Sequence, residues 1–120
     1  LIKDNHLKAA GSIKIAVENI RKIDVLLPIE LEVDTQTQIK EGLSIGVDGF
    51  LLDNMHPDQI RDSLEIIRSF PGGESIFVEA SGGITLENIH SYLDTGVNAI
   101  SVGALTHHIK SRDIRLEFIS

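Results

Sequence analysis

The chain has 120 residues, a formal net charge of −7 and no cysteine, which excludes disulfides and thiolate metal sites. Its 11 Lys and Arg residues are scattered and form no basic face, so a nucleic-acid partner is not expected. No apolar run approaches the roughly 18 residues of a membrane span, so we expect one domain of a cytoplasmic protein without a membrane partner.

The first half of the chain alternates between strand and helix patterns. After a partial strand at the very start, apolar residues recur at helical spacing over 13–23, with Ser12 available as an N-cap. The segment PIELEV at 28–33 predicts a strand. Thr35 and Gln38 then form a capping-box pattern, which predicts the start of the next helix.

A helix with a well-marked start follows the apolar strand GFLLD at 49–53. His56 and Pro57 place a proline near the first helical position, where its missing N–H is tolerated. An apolar stripe through Leu64 predicts one buried face for this helix. The Pro-Gly-Gly segment at 71–73 is expected to end it.

The alternation continues through the last third of the chain. SIFVEA at 75–80 predicts a strand, and Thr85 predicts the cap of a helix that ends at Gly96. AISV at 99–102 predicts another strand, and IRLEFIS at 114–120 predicts a short strand or an extended tail.

Strand–helix–strand units of this kind imply a parallel sheet with right-handed crossovers. Two architectures fit the pattern, an open doubly wound sheet and part of a (β/α) barrel. A complete barrel needs about 250 residues, and no G-x-G-x-x-G fingerprint follows the first strand. We therefore predict an α/β fold of about five strand–helix units and favour a fragment of an incomplete TIM-like parallel barrel, with the open doubly wound sheet as the alternative.

Polar and glycine-rich residues follow the carboxyl end of every predicted strand, whereas ordinary turn residues precede the strands. In parallel α/β folds, ligands bind at the carboxyl ends of the strands. The sequence therefore predicts a ligand site at that edge. Its candidate residues, in chain order, are Lys3, Asp4, Glu30, Glu32, Asp34, Asp53, Asn54, Glu79, Ser81, Ser101 and Gly103.

Two kinds of chemistry are indicated at this edge. Glu30 and Glu32 share one face of their strand because side chains alternate, and a lysine, a hydroxyl-rich ligand or Mg²⁺ could satisfy the two carboxylates. Glycines in ASGGI let backbone N–H groups approach an anion at a helix N-terminus. Together with a second glycine loop one unit later, they predict a phosphate site formed by Ser81, Gly82, Gly103 and His107.

Each candidate also has a structural alternative. Gly82 and Gly83 could form only a tight turn, and Lys3 could be a surface lysine. Glu30 could be an ion-pair partner, and Asp53 could cap its loop. His6 and His108 are expected to be solvated or capping histidines, and His56 is expected to cap its helix. The histidines show no helical metal-ligand spacing, which argues against a zinc site.

Five motifs, LIKDNH, ELEVD, LLDN, EASGGI and SVGALTH, occur in an order and spacing that resemble quinolinate phosphoribosyltransferase, the carboxylating nicotinate-nucleotide pyrophosphorylase family. The resemblance covers essentially the whole chain. It implies that residues 1–120 are the C-terminal part of the barrel domain, with the N-terminal domain and early barrel strands outside this sequence. It also implies that these residues alone are inactive.

The resemblance implies an enzyme of NAD biosynthesis. It would transfer a phosphoribosyl group from phosphoribosyl pyrophosphate to quinolinate with decarboxylation, giving nicotinate mononucleotide, pyrophosphate and CO₂. Mg²⁺ would be the cofactor, and the protein would form a homodimer or a larger homo-oligomer. The alternatives are a molybdenum-associated or nicotinate-type phosphoribosyltransferase paralogue, or a non-catalytic barrel assembly module.

Residue roles follow from the same resemblance. Lys3 would contact the substrates and stabilise negative charge, while Glu32 and Asp53 would act with it in catalysis and bind ribose hydroxyls and Mg²⁺. Leu31 stands where the family usually has valine, and we expect its side chain to face away from the barrel mouth. The 5′-phosphate would be held by Ser81, Gly82, Gly103 and His107.

Overall fold

The structure, a computed structural model, describes residues 13–23 and 26–102 in full and two further strands by their backbone. The partial first strand and the Ser12 cap predicted from the sequence lie outside these residues. The elements in chain order are α1 (Ile13–Ile23), β1 (Glu30–Val33), α2 (Gln36–Ile45), β2 (Gly49–Asp53), α3 (Pro57–Ser69), a 3₁₀ turn (Gly73–Ser75), β3 (Phe77–Ser81), α4 (His90–Leu93), β4 (Ala99–Val102), β5 (Leu105–Lys110) and β6 (Asp113–Phe118).

The six strands form one sheet in the order β1 to β6. β1 to β4 are parallel, and a helix connects each of them to the next, which confirms the predicted α/β fold. In the described part of the chain, no helix has the length and apolar character needed to cross a bilayer.

The last two strands depart from the predicted parallel pattern. β5 pairs antiparallel with β4, and β6 pairs antiparallel with β5. A parallel crossover needs a dozen or more residues, whereas only residues 103–104 and 111–112 separate these strands. The predicted C-terminal strand is confirmed as β6, but β5 was not predicted.

The two faces of the parallel sheet differ in character. Leu31 and Val33 on β1 and Phe50 and Leu52 on β2 are buried on the face that packs against the helices. Burial of each such side chain contributes about 1.5–3 kcal/mol. The alternate residues point to the other face, called here the inner face. Leu31 therefore faces away from the inner face, as predicted.

Local capping places the helix starts at the carboxyl edge of the sheet. Thr35 Oγ1 accepts a hydrogen bond from the Gln38 N–H at 3.3 Å, and Gln38 Oε1 accepts one from the Thr35 N–H at 3.2 Å. This is the predicted capping box. The predicted start of α3 is also confirmed, because Pro57 is its first residue.

The helix predicted from Thr85 is shorter than expected. Thr85 and Asn88 exchange hydrogen bonds, from the Thr85 N–H to Asn88 Oδ1 at 2.8 Å and from the Asn88 N–H to Thr85 Oγ1 at 3.3 Å. The Asn88 amide also donates to the Gly83 carbonyl at 2.9 Å. Such side-chain bonds compete with helical ones. Residues 86–89 consequently form turns, and α4 begins only at His90.

Candidate active site at the carboxyl edge

The strand register brings four acidic side chains onto the inner face. Glu32 pairs with Leu51, and Leu51 pairs with Glu79, so the two glutamates lie in one row across β1 to β3. Asp53 lies two residues beyond Leu51 on the same face, so it is a diagonal neighbour of Glu32 and of Glu79. Together with Glu30 these residues are called here the acidic face.

Asp53 and Ser81 meet at the carboxyl edge, as predicted. They are register partners on β2 and β3, and the Ser81 hydroxyl lies 3.4 Å from Asp53 Oδ1, to which it donates. The next residue extends the contact, because the Asn54 N–H donates to the Ser81 carbonyl at 2.8 Å. The loops that leave the two strands are therefore held together.

Gly82 packs directly against this pair. A Cβ at Gly82 would lie 2.8 Å from Asp53 Oδ1 and 2.9 Å from the Asn54 nitrogen, so only glycine fits. Gly82 and Gly83 also have left-handed backbones, with φ of 81° and 71°. The loop thus needs glycine for both its conformation and its close approach. The rim is defined here as Asp53, Ser81, Gly82 and Gly83.

The sequence-based account of phosphate binding needs one correction at this point. It assumed a helix N-terminus at Thr85, but the segment after Gly83 forms turns and α4 has only four residues. A phosphate bound here would therefore meet backbone N–H groups of the rim glycines rather than a helix dipole. Turns that expose successive backbone N–H groups form anion-binding concavities of this kind.

Glu30 and Glu79 are electrostatically coupled. Burial raises the pKa of Glu30 above its usual range, and the nearby Glu79 carboxylate raises that pKa further. Sequence reasoning left Glu79 out of the candidate catalytic set, although its position two residues before Ser81 signalled the same face. The coupling itself depends on strand register and was not visible in the sequence.

Neutralising Glu30 is expected to stabilise the fold at neutral pH. Because its folded-state pKa lies above the unfolded one, the folded state binds the proton more tightly. The contribution of protonated Glu30 to the free energy of unfolding is complete at low pH. That contribution is lost as the pH rises through the folded-state pKa. Glu30→Gln should therefore raise the free energy of unfolding at pH 7. It should also reduce the loss of unfolding free energy that occurs as the pH rises above the usual carboxyl pKa range.

Urea unfolding of the intact protein between pH 4 and pH 8, without Mg²⁺ or substrate, measures this effect. The exposed α3 residue Glu65 supplies the matched control, since Glu65→Gln removes the same charge outside the acidic face. If the unfolding free energies of Glu30→Gln and the unsubstituted protein changed equally with pH, ionised Glu30 would not destabilise the fold and the prediction would be wrong.

The two predicted magnesium ligands, Glu32 and Asp53, fit a Mg²⁺ ion that is bound jointly by protein carboxylates and the phosphates of a ligand. Glu32 and Asp53 are diagonal neighbours on the inner face. Over residues 13–23 and 26–102, no three His, Asp or Glu side chains form a group that could hold a metal ion by themselves. Mg²⁺ is commonly bound by one or two carboxylates together with substrate phosphates, so this pair suits it.

Several predicted site residues are not placed with side chains. Lys3, Asp4 and Gly103 lie outside the described residues. The backbone of His107 lies in β5, where it pairs with Ile100 of β4. Their roles remain predictions.

The fold and the rim define an α/β segment in which several predicted site residues lie together at the carboxyl ends of parallel strands. Comparison with known proteins gives the family. Residues 1–117 match the model of the quinolinate phosphoribosyl transferase C-terminal domain, and the chain belongs to that family.

Individual relatives agree with this assignment. The chain is 41% identical over 118 residues to the probable carboxylating nicotinate-nucleotide pyrophosphorylase of Bacillus subtilis (strain 168), covering 98% of this chain and 39% of that protein. It is 34% identical over 122 residues to the Homo sapiens carboxylating nicotinate-nucleotide pyrophosphorylase, covering 100% of this chain and 40% of that protein. The chain thus spans about 40% of the length of these relatives.

A solved structure shows the same fold. The nicotinate-nucleotide pyrophosphorylase from Francisella tularensis superposes with a TM-score of 0.77 at 34% identity, covering 97% of this chain and 40% of that one. This similarity confirms the predicted barrel fragment.

Proposed function

We propose that this chain forms part of an enzyme that transfers a phosphoribosyl group from phosphoribosyl pyrophosphate to quinolinate. The products are nicotinate mononucleotide, pyrophosphate and CO₂, and the reaction belongs to NAD biosynthesis. The observation that carries the proposal is the rim, where Asp53, Ser81 and Gly82 contact one another at the carboxyl edge of a sheet of this family.

The rim supports binding of the 5′-phosphate. Gly82 and Gly83 adopt left-handed conformations in this loop, and their backbone N–H groups are proposed to donate hydrogen bonds to the phosphate. Ser81 adds a hydroxyl beside them. Gly103 and His107 complete the proposed phosphate site. A fixed phosphate anchor supplies binding energy remote from the reacting carbon, which orients the ribose for reaction.

The acidic face supports orientation of the ribose. Glu32 and Asp53 are proposed to accept hydrogen bonds from ribose hydroxyls and to hold Mg²⁺, which neutralises charge on the pyrophosphate group when it is bound. Displacement of pyrophosphate builds positive charge on the sugar, and nearby carboxylates stabilise that charge. After CO₂ is lost, Lys3 is proposed to stabilise the negative charge left on the pyridine ring.

Three further properties belong to the same proposal. The protein is proposed to act as a homodimer or larger homo-oligomer, to require Mg²⁺ and to reside in the cytoplasm. Residues of the intact protein beyond this chain would supply the cations that bind the two quinolinate carboxylates. The 120 residues alone are therefore proposed to be inactive.

Product formation from quinolinate and from nicotinate tests the proposal. The intact protein, supplied with phosphoribosyl pyrophosphate and Mg²⁺, should form nicotinate mononucleotide from quinolinate with release of one CO₂ per turnover. Reaction with nicotinate alone would indicate a nicotinate-type paralogue instead. No product from either acid would contradict the proposed activity and favour an assembly module.

A further inference from the structure

Asn54 has an unusual backbone conformation for its residue type. Its φ is 56°, and it is the one non-glycine residue with a positive φ within the described ranges. L-residues pay an energetic cost in this left-handed region, although asparagine tolerates it better than most. The Asn54 side chain is exposed, so packing of that side chain itself does not account for the conformation. The conformation lies directly after Asp53, at the rim.

The left-handed residue reverses the alternation of side chains at the end of β2. Leu52 is buried on the helix-packed face, and Asp53 follows on the inner face. A regular strand would place residue 55 on the inner face beside Asp53. Met55 is instead buried in the core together with Leu52. The conformation of Asn54 thus lets Asp53 point inward while the next apolar side chain enters the core.

Contacts on both sides hold this reversal in place. On one side, the Asn54 N–H donates to the Ser81 carbonyl at 2.8 Å. On the other side, the buried Tyr92 hydroxyl donates to the Met55 carbonyl at 3.3 Å, and the Ser63 hydroxyl lies 3.5 Å from the Met55 sulfur. The position of Asp53 against the glycine loop therefore depends on the turn at Asn54.

We propose that Asn54 is a positioning residue for the site. Its left-handed backbone sets the Asp53 carboxylate against Ser81 and Gly82, and so fixes the distance between the ribose-binding carboxylate and the phosphate-binding loop. This inference rests on the proposed function for its effect on catalysis. The geometric effect on Asp53 does not depend on that function.

Two substitutions separate the backbone conformation from the side chain. Glycine adopts the left-handed region readily, whereas a β-branched residue does not. In the intact enzyme, Asn54→Val should lower kcat/KM for phosphoribosyl pyrophosphate by about 10- to 100-fold, since small misplacements of a catalytic group have effects of this size. The KM for quinolinate should change little. Asn54→Gly should retain most of the activity because it keeps the conformation.

Gly46 provides a matched control for backbone strain. It caps the end of α2 with φ of 92°, and no other atom lies within 4 Å of the place its Cβ would occupy. Gly46→Val imposes a comparable backbone penalty at the opposite edge of the sheet. It should lower the melting temperature and leave kcat/KM per folded molecule nearly unchanged.

Several outcomes would overturn the inference. These are unchanged kinetics for Asn54→Val, equal losses for Asn54→Gly and Asn54→Val, or an equal kinetic loss for Gly46→Val. A crystal structure of the intact Asn54→Val protein provides a test that needs no turnover. We expect Asp53 Oδ1 to move away from the Ser81 hydroxyl, and an unchanged position would also overturn the inference. Failure of the unsubstituted protein to make product would contradict the proposed function alone.

Discussion

Replacing Gly82 with alanine is expected to lower kcat/KM of the intact enzyme by about a hundredfold, the size of effect that a misplaced catalytic group produces. The added Cβ would lie 2.8 Å from Asp53 Oδ1 and 2.9 Å from the Asn54 nitrogen. The backbone atom cannot rotate away, so the glycine loop or the end of β2 must shift. Steady-state kinetics with each substrate varied in turn measures the loss.

Gly72→Ala is the matched control for this prediction. Gly72 has φ of 82°, almost equal to the 81° of Gly82, but no atom lies within 4 Å of the place its Cβ would occupy. Both variants therefore place alanine at nearly the same left-handed φ, and only Gly82→Ala disturbs the rim. Equal kcat/KM values for the two variants would contradict a functional role for the rim.

The largest expected effect on stability comes from Gly73→Ala. A Cβ at Gly73 would overlap the carbonyl oxygen of Ile67, a backbone atom of α3. The Gly73 carbonyl also accepts a hydrogen bond from Arg68 at 2.6 Å, which ties the 3₁₀ turn to the end of α3. Relief of the overlap would break this packing, so we expect a loss of about 3–5 kcal/mol in the free energy of unfolding.

Urea unfolding of the intact protein measures this loss, and the neighbouring residue again serves as control. Gly72→Ala carries only the left-handed strain, which costs about 1–2 kcal/mol. The difference between the adjacent variants isolates the steric overlap with α3. If Gly73→Ala were no more destabilising than Gly72→Ala, the described approach of the 3₁₀ turn to α3 would be wrong.

The elements with strong local signals were predicted from the sequence. Capping at Thr35, proline at the start of α3 and the apolar strand at 49–53 each depend on residues close together in the chain. The position of the candidate site was also predictable, because parallel strands bring their carboxyl ends to one edge. Asp53 and Ser81 consequently meet where the pattern placed them.

The remaining features depend on competition or on tertiary register. The length of α4 was misjudged because the Asn88 side chain bonds the backbone of Thr85 and Gly83 in place of a helical turn. β5 was missed because its segment mixes polar and apolar residues and gains its strand partners only from β4 and β6. Antiparallel pairing of this kind leaves a weaker trace in the sequence than helical periodicity does.

The acidic face shows a further limit of sequence reasoning. The alternation rule placed Glu30 and Glu32 on one face, but the approach of Glu79 to Glu30 follows from the pairing of β1, β2 and β3. The left-handed turn at Asn54 likewise appears only when the partners of Met55 are known.

The central claim is that the rim binds a phosphorylated ribose. A crystal structure of the intact enzyme with nicotinate mononucleotide tests it most directly. The account predicts that the 5′-phosphate lies within about 3 Å of the backbone nitrogens of Gly82 and Gly83, a normal hydrogen-bond distance, with a ribose hydroxyl at a similar distance from the Asp53 carboxylate. A nucleotide bound with its phosphate away from both glycines, or its ribose away from Asp53, would contradict the account.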